Sequence, residues 1–166
     1  MKRLLLMAAF AVLAVFSYAQ DLPNFAAIPV DKKSDFDSTA NDAALKAANY
    51  LISTPIEKNN ANRIDAGAFL IKWMTNSPDY SFNLEAEGGK ACKNNTDLLR
   101  VYIAALTKSA MDNKAFAHDA KKMKLESFKI FVAYCKNPAN NVKMNSDLKK
   151  MIEANDKGEL EKYLKI

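Results

Sequence analysis

The chain has 166 residues, with 24 lysines and arginines against 19 aspartates and glutamates, one histidine and two cysteines, for a net charge of +5. This length makes one domain able to bury a proper core, and one histidine with two cysteines is too few for an ordinary four-ligand zinc site. The basic excess is diluted: Lys121, Lys122, Lys124 and Lys129 lie among Asp119 and Glu126, and Lys143, Lys149 and Lys150 among Asp147 and Glu153. Both clusters read as solvated helix faces and not as a nucleic-acid surface.

Met1-Lys2-Arg3 is a short basic start, Leu4 to Phe16 is an unbroken apolar run, and Ser17-Tyr18-Ala19 ends it with small residues two apart. That is the layout of a secretory signal, cleaved after Ala19. As a helix the run would rise about 20 Å, short of the roughly 30 Å of a bilayer core, so an anchor is disfavoured. No later stretch approaches eighteen apolar residues, and the mature chain is expected to have no stable membrane insertion. Loss of Lys2 and Arg3 would lower the net charge from +5 to +3.

Residues 20–37, with Pro23 and Pro29, read as an extended N-terminal leader whose Phe25 and Ile28 could pack on the body. Residues 38–166 read as a single helical domain. Glycine is rare and Val is scarce after the signal, which favours helix over sheet. Helix one is expected from Ser38 or Thr39, capped by a Thr39/Asp42 box, with Ala44, Ala47, Ala48, Leu51 and Ile52 on one face.

Thr54-Pro55-Ile56-Glu57 gives a strong start signal for helix two, running to Asn76, although Asn59-Asn60 could delay it to Ala61. Ile64, Ala68, Ile71 and Met74 make one stripe, and Phe69 and Trp73 another, so helix two is expected at the centre of the bundle. Ser77-Pro78 stops it. Asp79 to Leu84 reads as an extended piece or a stub of strand, and Glu85 to Ala91, with Gly88-Gly89, as loop.

Helix three is expected from Asn95 or Thr96, with Leu98, Leu99, Tyr102, Ala105, Leu106 and Ala110 inward. A turn at Asp112-Asn113-Lys114 leads to helix four, with Phe116, Ala120, Met123, Phe128, Phe131 and Tyr134, ending before Pro138. Helix five runs from Ser146 with Met144, Leu148, Met151 and Ile152 inward, and Asp156 caps a last short helix bearing Leu160, Tyr163 and Leu164. The fold class is all-α: two stacked antiparallel helical hairpins plus a C-terminal helix pair, either TPR-like or an irregular bundle. The hairpins end alike, at Thr75-Asn76-Ser77-Pro78 and Cys135-Lys136-Asn137-Pro138, sixty residues apart.

If helices three and four fold back near residue 113, residues at equal height have numbers totalling about 227, as Cys92 and Cys135 do. A disulfide is then feasible, provided the segment before helix three leans inward, since antiparallel axes lie farther apart than a bridge spans. An exported chain meets an oxidising compartment. Closing this loop would stabilise by roughly 4 kcal/mol in the chain-entropy picture. No Cys-x-x-Cys motif marks a redox pair.

No catalytic constellation emerges, and the expectation is no enzyme and no cofactor. His118 reads as a helix-surface residue far from both cysteines. Glu85 and Glu87 beside Gly88-Gly89 could approach a cation but fall short of the oxygens calcium needs. Neither a phosphate-cradling glycine loop nor a Gly-x-Ser-x-Gly elbow is present. Asn94-Asn95-Thr96 fits a eukaryotic N-glycan acceptor, idle in a bacterial exported protein, and Asp37-Ser38-Thr39 resembles an O-glycan acceptor of Bacteroidetes-type bacteria. Trp73, Tyr80 and Phe82 gather at the end of helix two; they read first as core and, wherever exposed, as the contact surface.

Residues 69–82, Phe-Leu-Ile-Lys-Trp-Met-Thr-Asn-Ser-Pro-Asp-Tyr-Ser-Phe, resemble a segment of small exported all-helical proteins of Bacteroidetes-type bacteria. Residues 134–138 and 156–164 are similar to other parts of the same group. The resemblance implies export and a helical fold, and carries no site residue. The function expected is a periplasmic or secreted module binding an envelope protein or peptide. The alternative is a small-molecule or envelope-glycan binder with a pocket between hairpins near Trp73 and Tyr80, with an enzyme of unrecognised type ranked behind both.

Overall fold

A computed structural model describes residues 22–113, 115 and 119–166. The signal-type segment, Phe116 and His118 lie outside the described residues. Seven α-helices are seen among them: α1 (Ser38–Ser53), α2 (Ala61–Asn76), α3 (Ala86–Ala91), α4 (Thr96–Asp112), α5 (Ala120–Lys136), α6 (Ser146–Asp156) and α7 (Leu160–Leu164). The chain is all-α. Residues 77–85, which include the Asp79 to Leu84 piece read above as extended or a stub of strand, are irregular.

Helix starts follow local chemistry. The side-chain oxygens of Asp37, Asn60, Asn95, Asp119 and Asn145 accept from the backbone N–H three residues on, at 2.8–3.1 Å. Each satisfies a donor that the first helical turn leaves without a partner. Asp37 therefore caps α1, in place of the Thr39/Asp42 box.

The Thr54–Pro55 signal does not start α2. The Thr54 hydroxyl donates back to Tyr50 O at 2.7 Å, and the Ile56 N–H donates to Asn140 O at 3.1 Å. A local bond to Tyr50 and a tertiary one to Asn140 thus occupy the groups a helix start would have used. At the other end of the chain, Asp156 closes α6 and does not cap α7, whose N-cap is Glu159. Gly158, at φ +71°, supplies the left-handed residue that ends α6.

The expectation of a central helix two is corrected: α4 is central. It packs against α1 and α2 on one side and α5 on the other. Ten of its residues are buried, from Leu98 to Ala110. The α2 stripe of Ile64, Ala68 and Ile71 faces solvent, while Phe69, Leu70 and Trp73 face the core. Along α1, Ala40, Ala44, Ala47 and Ala48 are buried, and small side chains let α1 approach α4 closely.

Two apolar clusters meet across α4. One joins α1, α2 and the leader, whose Phe25 ring lies 5.3 Å from that of Phe69. The leader is tied down further: Asn76 Nδ2 donates to Val30 O at 2.9 Å, and Lys72 pairs with Asp31 at 2.8 Å. The other cluster joins α4 to α5, α6 and α7 through Tyr102, Phe128, Phe131, Leu148 and Leu164. Met144, expected inward, is 41% exposed, because it precedes α6 in the loop after α5.

The Cys92–Cys135 bridge is not formed; both are free, buried thiols. Their expected proximity holds, since both belong to the cluster beside α4 and the Cys92 thiol adds to the rise in the Cys135 pKa. Residues 86–91, read above as loop, are helix. Cys92 ends α3 with its N–H donating to Gly88 O at 2.9 Å. Burial raises the pKa of both thiols, which disfavours the thiolate through which a disulfide forms.

Candidate functional site

The strap of residues 77–85 carries two of the three aromatic candidates across the end of α2. Trp73, Tyr80 and Phe82 do come together: ring centroids are 5.5 Å apart for Trp73–Tyr80, 5.8 Å for Trp73–Phe82 and 6.0 Å for Tyr80–Phe82. Tilted rings at these separations are mutually attractive. Trp73 is fully buried and its Nε1 donates to Asn41 Oδ1 at 3.1 Å, which satisfies the indole inside the core. It offers no face for a sugar ring to stack on. Trp73 is thereby excluded as a stacking face. Tyr80 and Phe82 are half-buried, and burial with the neighbouring Asp79 pushes the Tyr80 phenol pKa up.

Phe82 also reaches an open groove of about 260 Å³ that the sequence does not reveal. Ile71 and Met74 line it from α2, Phe82 and Leu84 from the strap, and Leu99 and Ile103 from α4. Thr75 is the one polar liner, and its hydroxyl already donates to Ile71 O at 2.8 Å. The rim is apolar too: Leu84 is 60% and Ile71 48% exposed. Ile64, Ala68 and Ile71 continue the surface along α2 at i, i+4 and i+7, the spacing of one helix face. Such a face accepts side chains by shape and desolvation and provides no side-chain group to orient a polar ligand.

The acidic pair at Glu85 and Glu87 holds Lys124, whose Nζ lies 3.1 and 3.5 Å from their carboxylates. Lys124 is 13% exposed, so the ammonium fills the place where a cation was considered. Among the described residues no group of three or more His, Cys, Asp and Glu side chains could hold a metal ion.

Arg63 is a buried charge that no motif or periodicity singles out. Its Nη1 donates to Leu51 O at 3.2 Å, Thr54 O at 2.9 Å and Thr54 Oγ1 at 2.7 Å. The guanidinium thus closes the C-terminal end of α1, where a cation meets the negative end of the helix dipole. Nε and Nη2 are buried with no hydrogen-bond partner among the described residues. The Tyr134 hydroxyl donates to Thr54 O at 2.8 Å; burial raises the Tyr134 pKa and Arg63 partly offsets this.

No family model, no curated protein and no solved structure matches the chain. Its chemistry is therefore argued from its own residues. Among the described residues no helix is long and apolar enough to cross a membrane.

Proposed function

We propose that the protein is an exported helical module that binds a protein or peptide partner through the apolar groove between α2, α4 and the 77–85 strap. One observation carries this reading: Leu84 and Ile71 stand exposed over a groove with no unsatisfied polar side chain. The row Ile64–Ala68–Ile71 gives the partner a definite shape, an apolar ridge such as one face of an amphipathic helix. A groove of this volume takes one or two side chains, not a whole small-molecule ligand of ordinary size. Export rests on the basic start, the thirteen-residue apolar run and the small residues at Ser17 and Ala19. It rests also on the resemblance of residues 69–82 to small exported helical proteins of Bacteroidetes-type bacteria.

Photo-crosslinking tests the binding reading. A photoreactive amino acid replaces Leu84 or Ile71 in the intact cell, with Lys46, an exposed residue of α1, as the control position. The expected result is one discrete protein adduct from positions 84 and 71, lost when Ile64→Glu is added. Equal or absent labelling at all three positions would defeat the reading.

A further inference from the structure

A second groove, of about 550 Å³, opens where three loops far apart in sequence meet. They are the α1–α2 connection, the α3–α4 corner and the segment between α5 and α6. The wall is held by backbone and asparagine bonds. Ile56 N–H donates to Asn140 O at 3.1 Å, and Asn145 Nδ2 donates to Lys90 O at 3.1 Å and Ala91 O at 2.9 Å. Asn94 and Asn141 take the left-handed backbone, at φ 59° and 55°, which turns the chain sharply at the rim.

The chemistry of this groove is one-sided. Lys58, Lys93 and Lys143 line it, each exposed and none in an ion pair among the described residues. Asp97 is the one carboxylate in the lining, and Arg100 Nη1 already holds it at 2.6 Å. The side-chain amide of Asn94 and the Nδ2 of Asn95 make no hydrogen bond among the described residues, which leaves further donors. Asn95 and Asn145 both face the groove and cap α4 and α6, so the positive ends of two helix dipoles add to the lysine field. Donors and positive charge outnumber free acceptors, and the three loops hold them in place before any ligand arrives.

The geometry points to a second binding site here, one that takes an oxyanion-bearing ligand: carboxylate or phosphate groups contacted by Lys58, Lys93 and Lys143 with the Asn94 and Asn95 amides. The volume suits a compact ligand carrying two or three such groups. This site lies on different loops from the apolar groove and does not depend on the reading of that surface. Charge attraction to three exposed ammonium groups weakens as salt rises, so affinity should fall between low and physiological ionic strength.

Amide-resolved NMR titration of the purified protein tests the inference with three probes: citrate for carboxylates, inorganic pyrophosphate for phosphates and glucose as an uncharged hydroxylated control. Citrate, pyrophosphate or both should shift residues 56–58, 93–97 and 141–145 saturably, while glucose leaves them in place. Preference between the two anions then assigns carboxylate or phosphate. The triple variant Lys58→Glu/Lys93→Glu/Lys143→Glu should weaken binding at least about tenfold. A charge-matched triple away from the groove, Lys46→Glu/Lys121→Glu/Lys165→Glu, should change it less than about threefold. All six lysines are exposed, so both triples should keep the wild-type helical circular dichroism. Equal weakening by the two triples would reduce the effect to net charge and overturn the site. Shifts scattered over the surface, or no saturable shift with either anion, would overturn it as well.

Discussion

Gly88→Ala should destabilise the protein although alanine is the better helix former. A Cβ at residue 88 would lie 2.3 Å from Tyr102 Cε1, 2.5 Å from Cζ and 2.9 Å from Cδ1. The ring has nowhere to retreat. Tyr102 is fully buried, with Phe128 at 5.2 Å and Phe131 at 5.5 Å between ring centroids, and its hydroxyl accepts from Glu85 N–H at 3.3 Å. Overpacking a filled core costs about 1–3 kcal/mol. The gain in helix propensity returns roughly 0.5–1 kcal/mol. Taking the middle of each range, the net loss is about 1 kcal/mol, which should lower Tm by roughly 2–4 °C for a domain of this size. Gly89→Ala is the matched control: it lies in the same helix with nothing within 4 Å of its Cβ position, and should raise stability by about 0.5–1 kcal/mol. Urea melts and thermal scans of the two variants measure both. Gly88→Ala as stable as wild type, or two variants shifting together, would refute the claim that α3 is held by its contact with Tyr102.

Arg63→Met keeps the buried bulk but removes the three hydrogen bonds that close α1; a loss of about 2 kcal/mol is expected in urea, with Arg63→Lys losing less. An unchanged midpoint for Arg63→Met would show that the buried charge costs as much as its bonds return. Burial pushes the Cys92 thiol up to about 12 from an ordinary value near 9, and pushes Cys135 up in the same direction. A raised folded-state pKa means the native form holds these protons longer than the unfolded chain does. Their stabilising contribution is complete below about pH 9 and is lost as pH rises toward 12. Urea midpoints should therefore fall above pH 9, and Cys92→Ala should flatten that slope; a slope identical in the variant would contradict the assignment. Without reductant, alkylation should label neither cysteine in the folded protein and both after unfolding, read by mass spectrometry. Two labels appearing only after reduction would show a bridge.

How much of this was legible in the sequence depends on which groups decide each feature. The capping residues Asn60, Asn95 and Asn145 fix where helices start because one side-chain oxygen and one N–H three residues on suffice. The buried faces of α1, α4 and α5 follow from periodicity in the same local way. By contrast α3 could not be read, since Glu85 to Ala91 has two adjacent glycines and no apolar period. It exists through distant partners: Tyr102 fills the space over Gly88, Lys124 holds Glu85 and Glu87, and Asn145 satisfies the Lys90 and Ala91 carbonyls.

The candidate sites divide along the same line. The sequence brought Trp73, Tyr80 and Phe82 together, but an apolar stripe has the same pattern whether or not something covers it. Burial of Trp73 and exposure of Ile71 depend on which side of α2 meets α4. The lysines at 58, 93 and 143 give no sign in the chain of sharing a groove, because three loops separated by about 35 and 50 positions converge only when α1, α4 and α6 are packed. By itself the sequence determined the all-α class, the starts of α4 and α6 and the proximity of the two cysteines, all set by groups within a turn or one hairpin of each other. Tertiary structure alone decided which helix is central, whether residues 86–91 are helical, that the thiols stay free, and which polar and apolar surfaces stand open. Each of these turns on which side chains from distant segments reach the same place first.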